Sequence, residues 1–292
     1  MSEFRLTTPV AFFIFNRTDT TAQVFEEIRQ AKPEKLLVIA DGPRITHPSD
    51  IERCLAARAI IETVDWPCEI LTNYSSENLG CKSRMSTGLD WVFSGAEEAI
   101  ILEHDTLPHP SFFQFCQELL KKYREDNRIM TISGCNFQFG NRRTNYSYYF
   151  SRCVHCWGWA TWRRAWQHYD VSMSLWPEIS SGDWLTSIIG QDVGARYWHQ
   201  IFDVTYQGYV NTWDYQWVFN CWSQNGLSIL PNVNLVSNIG FSSEGTHTVN
   251  TDSRVANLPT ELISFPLLHP SFMLRDTEAD NFTQQLYNSG QM

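Results

Sequence analysis

Between Val10 and Ser133 the chain alternates short apolar runs with helix-length amphipathic stretches, and this alternation restricts the possible folds more than any other feature. Val10 to Phe15 is continuously apolar and too short for a buried helix, so it reads as a strand. Thr18 is placed to cap a helix running to about Ala31, with Val24, Ile28 and Ala31 at helical spacing. Lys35 to Ala40 predicts a second strand, closing on Asp41-Gly42-Pro43. A helix over Ser49 to Val64, a strand over Cys68 to Asn73 and a helix over Cys81 to Phe93 follow. A strand around Ile100, a helix from Ser111 to Tyr123 and a strand from Arg128 to Ser133 complete this half. Strands joined through helices run parallel, with the crossovers lying on the sheet faces. The expected class is α/β, a mostly parallel central sheet flanked by helices.

After about Gly134 the pattern changes. A short aromatic strand, Tyr146 to Phe150, precedes Trp-rich segments read as helices around Trp159 to Trp166, Asp183 to Gly190, Ala195 to Tyr206 and Asp214 to Gln224. Strands over Leu227 to Leu230 and Asn234 to Ser237 lead into a Gly/Ser/Thr-rich stretch at 240–251. No linker separates the halves, so 1–275 reads as one domain, with the polar 276–292 as a flexible tail. Twelve Trp, eleven Tyr and eighteen Phe are unusually many, and a large share falls between Tyr146 and Trp222. They fit a bulky core or a cleft in which sugar faces stack on rings, and composition leaves both open.

The net charge is −10, which disfavours general nucleic-acid binding because that depends on neutralising phosphates. A nucleotide can still bind where a cation bridges its phosphates. No apolar stretch reaches the length of a membrane-spanning helix, and the N-terminus lacks the regions of a signal peptide. Eight cysteines, dispersed and set in apolar patterns, suggest buried thiols in a reduced, cytoplasmic protein. Cys153-Val154-His155-Cys156 is a lone CxxC without the second pair that a zinc site needs. Neither a GxGxxG nor a Walker A sequence follows the first strand.

Several segments carry candidate chemistry. Ala99 to Leu102 ends abruptly in Glu103-His104-Asp105. Ligands of α/β sheets bind beyond the carboxyl ends of strands, and these donors suit Mn²⁺ or Mg²⁺. The same residues also fit a helix start near Pro110. Phe15-Asn16-Arg17 and Asp41-Gly42 end the first two strands, where Asp41 could accept from a base or ribose or simply form a turn. Asn78, Lys82 and Arg84 open a helix after the third strand and could face phosphates or solvent. Asp214 sits among aromatics at a helix start, as a general base or a cap. His247, in the polar stretch, could meet a metal or phosphate or lie in solvent.

As an ordered set these residues resemble glycosyltransferases of the GT-A fold. The nearest resemblance is to a bacterial family 2-like group of nucleotide-diphospho-sugar transferases, with features shared with N-acetylglucosaminyltransferase I. The motifs run from Pro9–Arg17 and Ile39–Arg44 through Asn78–Cys81, Ile101–Asp105 and Pro110–Phe115 to Trp157–Trp162 and Trp213–Trp217. The resemblance implies a Rossmann-like sheet with a nucleotide-sugar-binding half (8–134) and an aromatic-rich acceptor and catalytic half (135–275). It implies that Asp105 binds Mn²⁺ (or Mg²⁺) under the donor diphosphate, with His247 as a second metal or phosphate contact in a donor-covering loop. Phe15, Asn16, Arg17, Asp41, Asn78, Lys82, Arg84, Glu103, His104 and Trp159 would bind the nucleotide sugar, and Asp214 would be the base. The implied reaction is inverting transfer of a sugar, hexosyltransferase in type, from a UDP-sugar to a hydroxyl of a glycan or glycoconjugate. Peripheral association with the inner membrane face would suit lipid-linked acceptors. His104 departs from the pattern, which usually has Asp there. That leaves two consequences open, a neutral ligand beside Asp105 or a weakened metal site in a non-catalytic carbohydrate- or partner-binding member of the fold. A sugar-phosphate nucleotidyltransferase would need a glycine-rich basic loop after the first strand, which Phe15-Asn16-Arg17-Thr18 is not.

Overall fold

A computed structural model describes residues 4–242 and 252–291. Strand β1 (Val10–Ile14) is followed by α1 (Thr18–Ala31), β2 (Lys35–Ala40), α2 (Asp50–Ile61), β3 (Glu69–Tyr74), α3 (Gly80–Gly95) and β4 (Glu98–Glu103). Next come β5 (Thr106–Pro108), α4 (Ser111–Lys122), β6 (Ile129–Ser133), β7 (Tyr148–Ser151) and β8 (Trp159–Trp162). Helices α5 (Arg163–Trp166), α6 (Trp176–Ile179), α7 (Trp184–Ile189), α8 (Asp192–Tyr206) and α9 (Asp214–Ser223) follow. Strands β9 (Leu227–Pro231) and β10 (Val236–Asn238) and helix α10 (Thr277–Asn288) end the chain.

Eight strands form one sheet in the order β3-β2-β1-β4-β8-β6-β9-β7. Strands β1 to β4 are mutually parallel, and β9 is parallel to β6. Strand β8 runs antiparallel between β4 and β6, and β7 runs antiparallel to β9. The fold is therefore α/β with a large, mostly parallel central sheet. Alternation along β1 sends Val10, Phe12 and Ile14 to a core shared with α1 and α4, while Ala11 and Phe13 enter a second core with α3, α8 and α9. Both faces are covered, so the strand is apolar at every position rather than at every second one. Helix α1 stops where Lys32 turns left-handed (φ 48°) and its N–H bonds back to Ile28 O, with Pro33 next.

Two expectations need correction. The segment 159–166 is not one helix but strand β8 followed by the single turn α5. Trp-Ala-Thr-Trp serves both cores by strand alternation: Ala160 and Trp162 pack on one face and Trp159 on the other. The open edges of β4 and β6, each left without a partner by the crossovers, hydrogen-bond to this strand. Among the described residues, 276–291 are not a flexible tail but carry α10. Asp276 caps α10 by accepting from Ala279 N–H at 2.9 Å. Gln138 Nε2 donates to Thr283 Oγ1 (3.0 Å), and Trp198 Nε1 donates to Gln284 Oε1 (2.9 Å). The docked face is largely polar and is held by hydrogen bonds, so hydropathy does not reveal it.

All eight cysteines are free. Burial pushes the Cys153 thiol up to about 12 and the Cys156 thiol well above its usual range, so the CxxC pair stays protonated. No helix of the described residues is long and apolar enough to cross a membrane.

Candidate active site

The chain leaves β1 toward β2 and β3, then returns through α3 to β4 on the other side of β1. This reversal opens a crevice at the carboxyl ends of β1 and β4, the place where open α/β sheets bind ligands. Phe15-Asn16-Arg17 forms one wall and Glu103-His104-Asp105 the other. Thr106 Oγ1 shapes the second wall by accepting from Glu103 N–H (2.9 Å) and donating to Glu103 O (3.0 Å). Strand β5 pairs antiparallel with β10, and Ile239 N–H donates to Asp105 O at 2.9 Å. Gly240 is thereby pressed against the Asp105 side chain, where a Cβ would stand 2.1 Å from Oδ2. Arg17 completes the corner. Its guanidinium donates to Gly240 O (3.1 Å) and Ser242 Oγ (2.7 Å) and lies 3.6 Å from Asp105 Oδ2.

His104 Nε2 is 4.0 Å from Asp105 Oδ2. Burial pulls its pKa below 6.5, more than the Asp105 charge raises it, which leaves the neutral imidazole that binds metals. Burial, then the charges of Asp105 and Asp214, push the Glu103 carboxyl well above its usual range. Burial first, and then the charges of Glu103 and Asp214, raise the Cys81 and Cys156 thiols, and burial followed by Asp214 raises the Tyr169 hydroxyl. Asp214 is the first residue of α9, and its carboxylate accepts from Thr212 Oγ1 and Tyr215 N–H. Among the described residues no three His, Cys, Asp or Glu side chains converge as a preformed metal cage. The donors present, one carboxylate and one neutral imidazole, fit an ion that takes its other ligands from phosphates and water. His247, expected as a second ligand, lies outside the described residues.

Other expected contacts resolve differently. Asp41 is 6% exposed and fully engaged: Oδ1 accepts from Gly42 and Leu79 N–H (2.9 Å each), and Oδ2 from Asn78 Nδ2 and Gly80 N–H (3.0 Å each). It pins the end of β2 to the start of α3, and no oxygen remains for a base or ribose. Asn78 Nδ2 also donates to Gly42 O. Arg84 is buried, with its guanidinium on Asn73 O and Oδ1, so it braces the β3–α3 corner rather than facing a ligand. Asn16 is buried too and donates to Asp50 Oδ1 at 2.7 Å. Trp159 is fully buried and stacks on Trp213 (5.6 Å between centroids), so it backs the segment that carries Asp214 and touches no solvent. The same holds for Trp162, Trp176 and Trp217, so these tryptophans build core rather than an open stacking surface. Lys82 is half-buried, and Phe15 lies under the Arg44 guanidinium at 5.5 Å.

Sequence reading missed the Arg44–Asp50 pair. Arg44 Nε and Nη2 donate to the two Asp50 oxygens at 2.6 and 3.0 Å, and the pairing holds that buried carboxyl well below its usual range. Arg53 Nε donates to Asn16 O (3.0 Å). Together with Arg17, these arginines concentrate cations beside the crevice of an acidic chain. Arg44 closes the Ile39–Arg44 motif, but nothing in its spacing marks a partner.

Searches by sequence match the chain to no family model and to no curated protein. Solved structures do match. A mannosyltransferase from Pyrobaculum calidifontis, in complex with GDP-mannose and Mn²⁺, aligns over 54% of this chain and 45% of its own, at 18% identity and TM-score 0.39. A UDP-glucose pyrophosphorylase complexed with UDP-glucose aligns over 44% and 56%, at 15% identity and TM-score 0.27. A 4-diphosphocytidyl-2C-methyl-D-erythritol synthase from Anaerococcus prevotii aligns over 61% and 78%, at 8% identity and TM-score 0.33. The chain thus spans about half the length of the first two.

Proposed function

We propose that this protein is an inverting glycosyltransferase that moves a sugar from a nucleoside-diphosphate donor, UDP by preference, to a hydroxyl of a glycan or glycoconjugate. The reading is carried by one juxtaposition at the sheet's switch point. Arg17, His104 and Asp105 meet at the carboxyl ends of β1 and β4, and burial, then the charges of Asp105 and Asp214, raise the Glu103 carboxyl. Asp105 and His104 would hold Mn²⁺ or Mg²⁺, which when bound stabilises the departing diphosphate. Arg17 adds a fixed positive charge for the phosphates. Asp214, oriented by Thr212 and Tyr215 N–H, takes the proton of the acceptor hydroxyl. Glu103, whose proton burial holds more tightly, donates a hydrogen bond to the donor sugar or ribose. One base and no second nucleophilic carboxylate beside it favour single displacement with inversion.

A second reading, a non-catalytic carbohydrate-binding protein, is favoured by one observation. Arg17 already sets a cation against Asp105, which competes with a metal ion. Calorimetric titration with UDP, GDP, CDP and dTDP, each with and without Mn²⁺, separates the two. The transferase reading expects one nucleotide to bind only with Mn²⁺, and Asp105→Ala to abolish that binding. Asp214→Asn should keep the binding and lower turnover about 10²-fold. Nucleotide and Mn²⁺ binding without turnover would favour the second reading, and no nucleotide binding at all would defeat the first.

A further inference from the structure

We propose that the β3 edge of the sheet is a self-association surface, where a second copy of this chain pairs its own β3 antiparallel about a two-fold axis. Strand β3 is the last in the sheet order. Glu69 N–H donates to Glu34 O and Ser75 N–H to Ala40 O, and the register with β2 is unbroken from Glu69 to Tyr74. Alternation then turns Leu71 and Asn73 inward as well. The N–H and C=O groups of Ile70, Thr72 and Tyr74 point away from the sheet, and such a row is a template for another strand.

Sheet edges are ordinarily protected by lysine, proline, a bulge or a covering element. Strand β3 contains neither lysine nor proline, and its register has no shift. Five of its six residues are exposed, including Ile70 (38%), Leu71 (39%) and Tyr74 (36%). Helix α2 extends the apolar surface. Ile51 (57% exposed) and Leu55 (60%) recur at helical spacing with Arg58, whose guanidinium lies 4.9 Å from the centre of the Tyr74 ring. Arg58 therefore fixes which way this stripe faces, toward β3.

The occupant follows from self-complementarity. A two-fold axis perpendicular to the sheet keeps each residue on its own face, so only registers that pair residues of like parity are possible. Just one of these pairs all three outward residues, the register with Thr72 on the axis. It sets Ile70 opposite Tyr74 of the second copy, a β-branched–aromatic pair that recurs on the other side of the axis. Leu71 then opposes Asn73, and Glu69 opposes Ser75. Glu69, held by Lys35 of its own sheet at 3.3 Å, then meets an uncharged residue, so no like charges oppose. The joined sheets run on through β3, and the crevice between β1 and β4 stays open in both copies.

Sedimentation equilibrium on the full chain tests this. At about 10 µM, where a micromolar interface is mostly occupied, the mass should be twice 33.9 kDa. Thr72 is exposed, so Thr72→Lys and Thr72→Glu should each fold, place like charges on the axis and sediment as monomers. Mixing the two variants should restore the dimer, since lysine then faces glutamate. A wild-type monomer at this concentration would overturn the proposal. So would a dimer that both variants leave intact, or two monomeric variants that stay apart on mixing. Circular dichroism of each variant distinguishes a lost interface from a lost fold.

Discussion

Gly240→Ala should disable the crevice without unfolding the protein. A Cβ at Gly240 would lie 2.1 Å from Asp105 Oδ2, 2.7 Å from Cγ and 2.9 Å from Cβ. Ordinary carbon contacts begin at about 3.5 Å, so one side must retreat by about 1 Å or more. The backbones cannot easily give. Ile239 N–H is bonded to Asp105 O, and Thr106 is paired with Asn238. The Asp105 side chain must therefore rotate away from Arg17 and from its place beside His104. An off-rotamer or repositioned carboxylate costs about 1 kcal/mol, and Gly240 has no left-handed φ that would add strain. Misplacing a binding group by about 1 Å is worth up to about 10²-fold, so Mn²⁺-dependent nucleotide affinity should fall on that scale. Calorimetry reads the binding, and urea unfolding reads the stability. The stability loss should shrink when Gly240→Ala is made in an Asp105→Ala background, because the contacts with Oδ2 and Cγ are then gone and only the one with Cβ remains. Wild-type nucleotide affinity in Gly240→Ala, or an undiminished stability loss in the double variant, would refute the reasoning.

Asp41→Ala removes a carboxylate that accepts four hydrogen bonds, and should cost about 3 kcal/mol in urea unfolding. Unchanged stability with lost nucleotide binding would instead place Asp41 on the ligand. His155 is buried against Phe137, and burial lowers its pKa to about 3. Below the unfolded value of 6.5 only the unfolded chain takes up this proton, so the stability present above pH 6.5 drains away as pH falls toward 3. Between pH 7 and 5.5 this contribution is about 1 kcal/mol, and His155→Phe should remove it from the measured pH dependence of unfolding.

The first half of the fold was legible because each element there signals itself locally. Val10–Ile14 is apolar on both faces, Lys35–Ala40 repeats the pattern, and the helix over Thr18–Ala31 carries its own spacing and terminus. Strand ends are visible in sequence, so Glu103, His104 and Asp105 could be set at one, while the strand order that puts this end at a switch point came from the structure. Local patterns failed where partners decide. Trp159–Trp162 is a strand because β4 and β6 supply hydrogen bonds on both sides, and α10 is docked because buried polar groups await its polar face. Asp41 looked like a ligand group, yet its lone pairs are taken by Asn78, Leu79 and Gly80, whose approach depends on how α3 meets β2.

Sequence by itself determined the α/β class, the run of elements to Ser133 except β5 and the grouping of Glu103, His104 and Asp105 at a strand end, because these depend on residues close together in the chain, whereas β5 exists only through its pairing with the distant β10. Only the tertiary structure decided that Arg17 faces Asp105, that Gly240 closes against it and that Glu103 is buried beside the charge of Asp105. Those pairings depend on the distances across which charges and atoms meet, and such distances are set by the packing of the whole sheet and its helices.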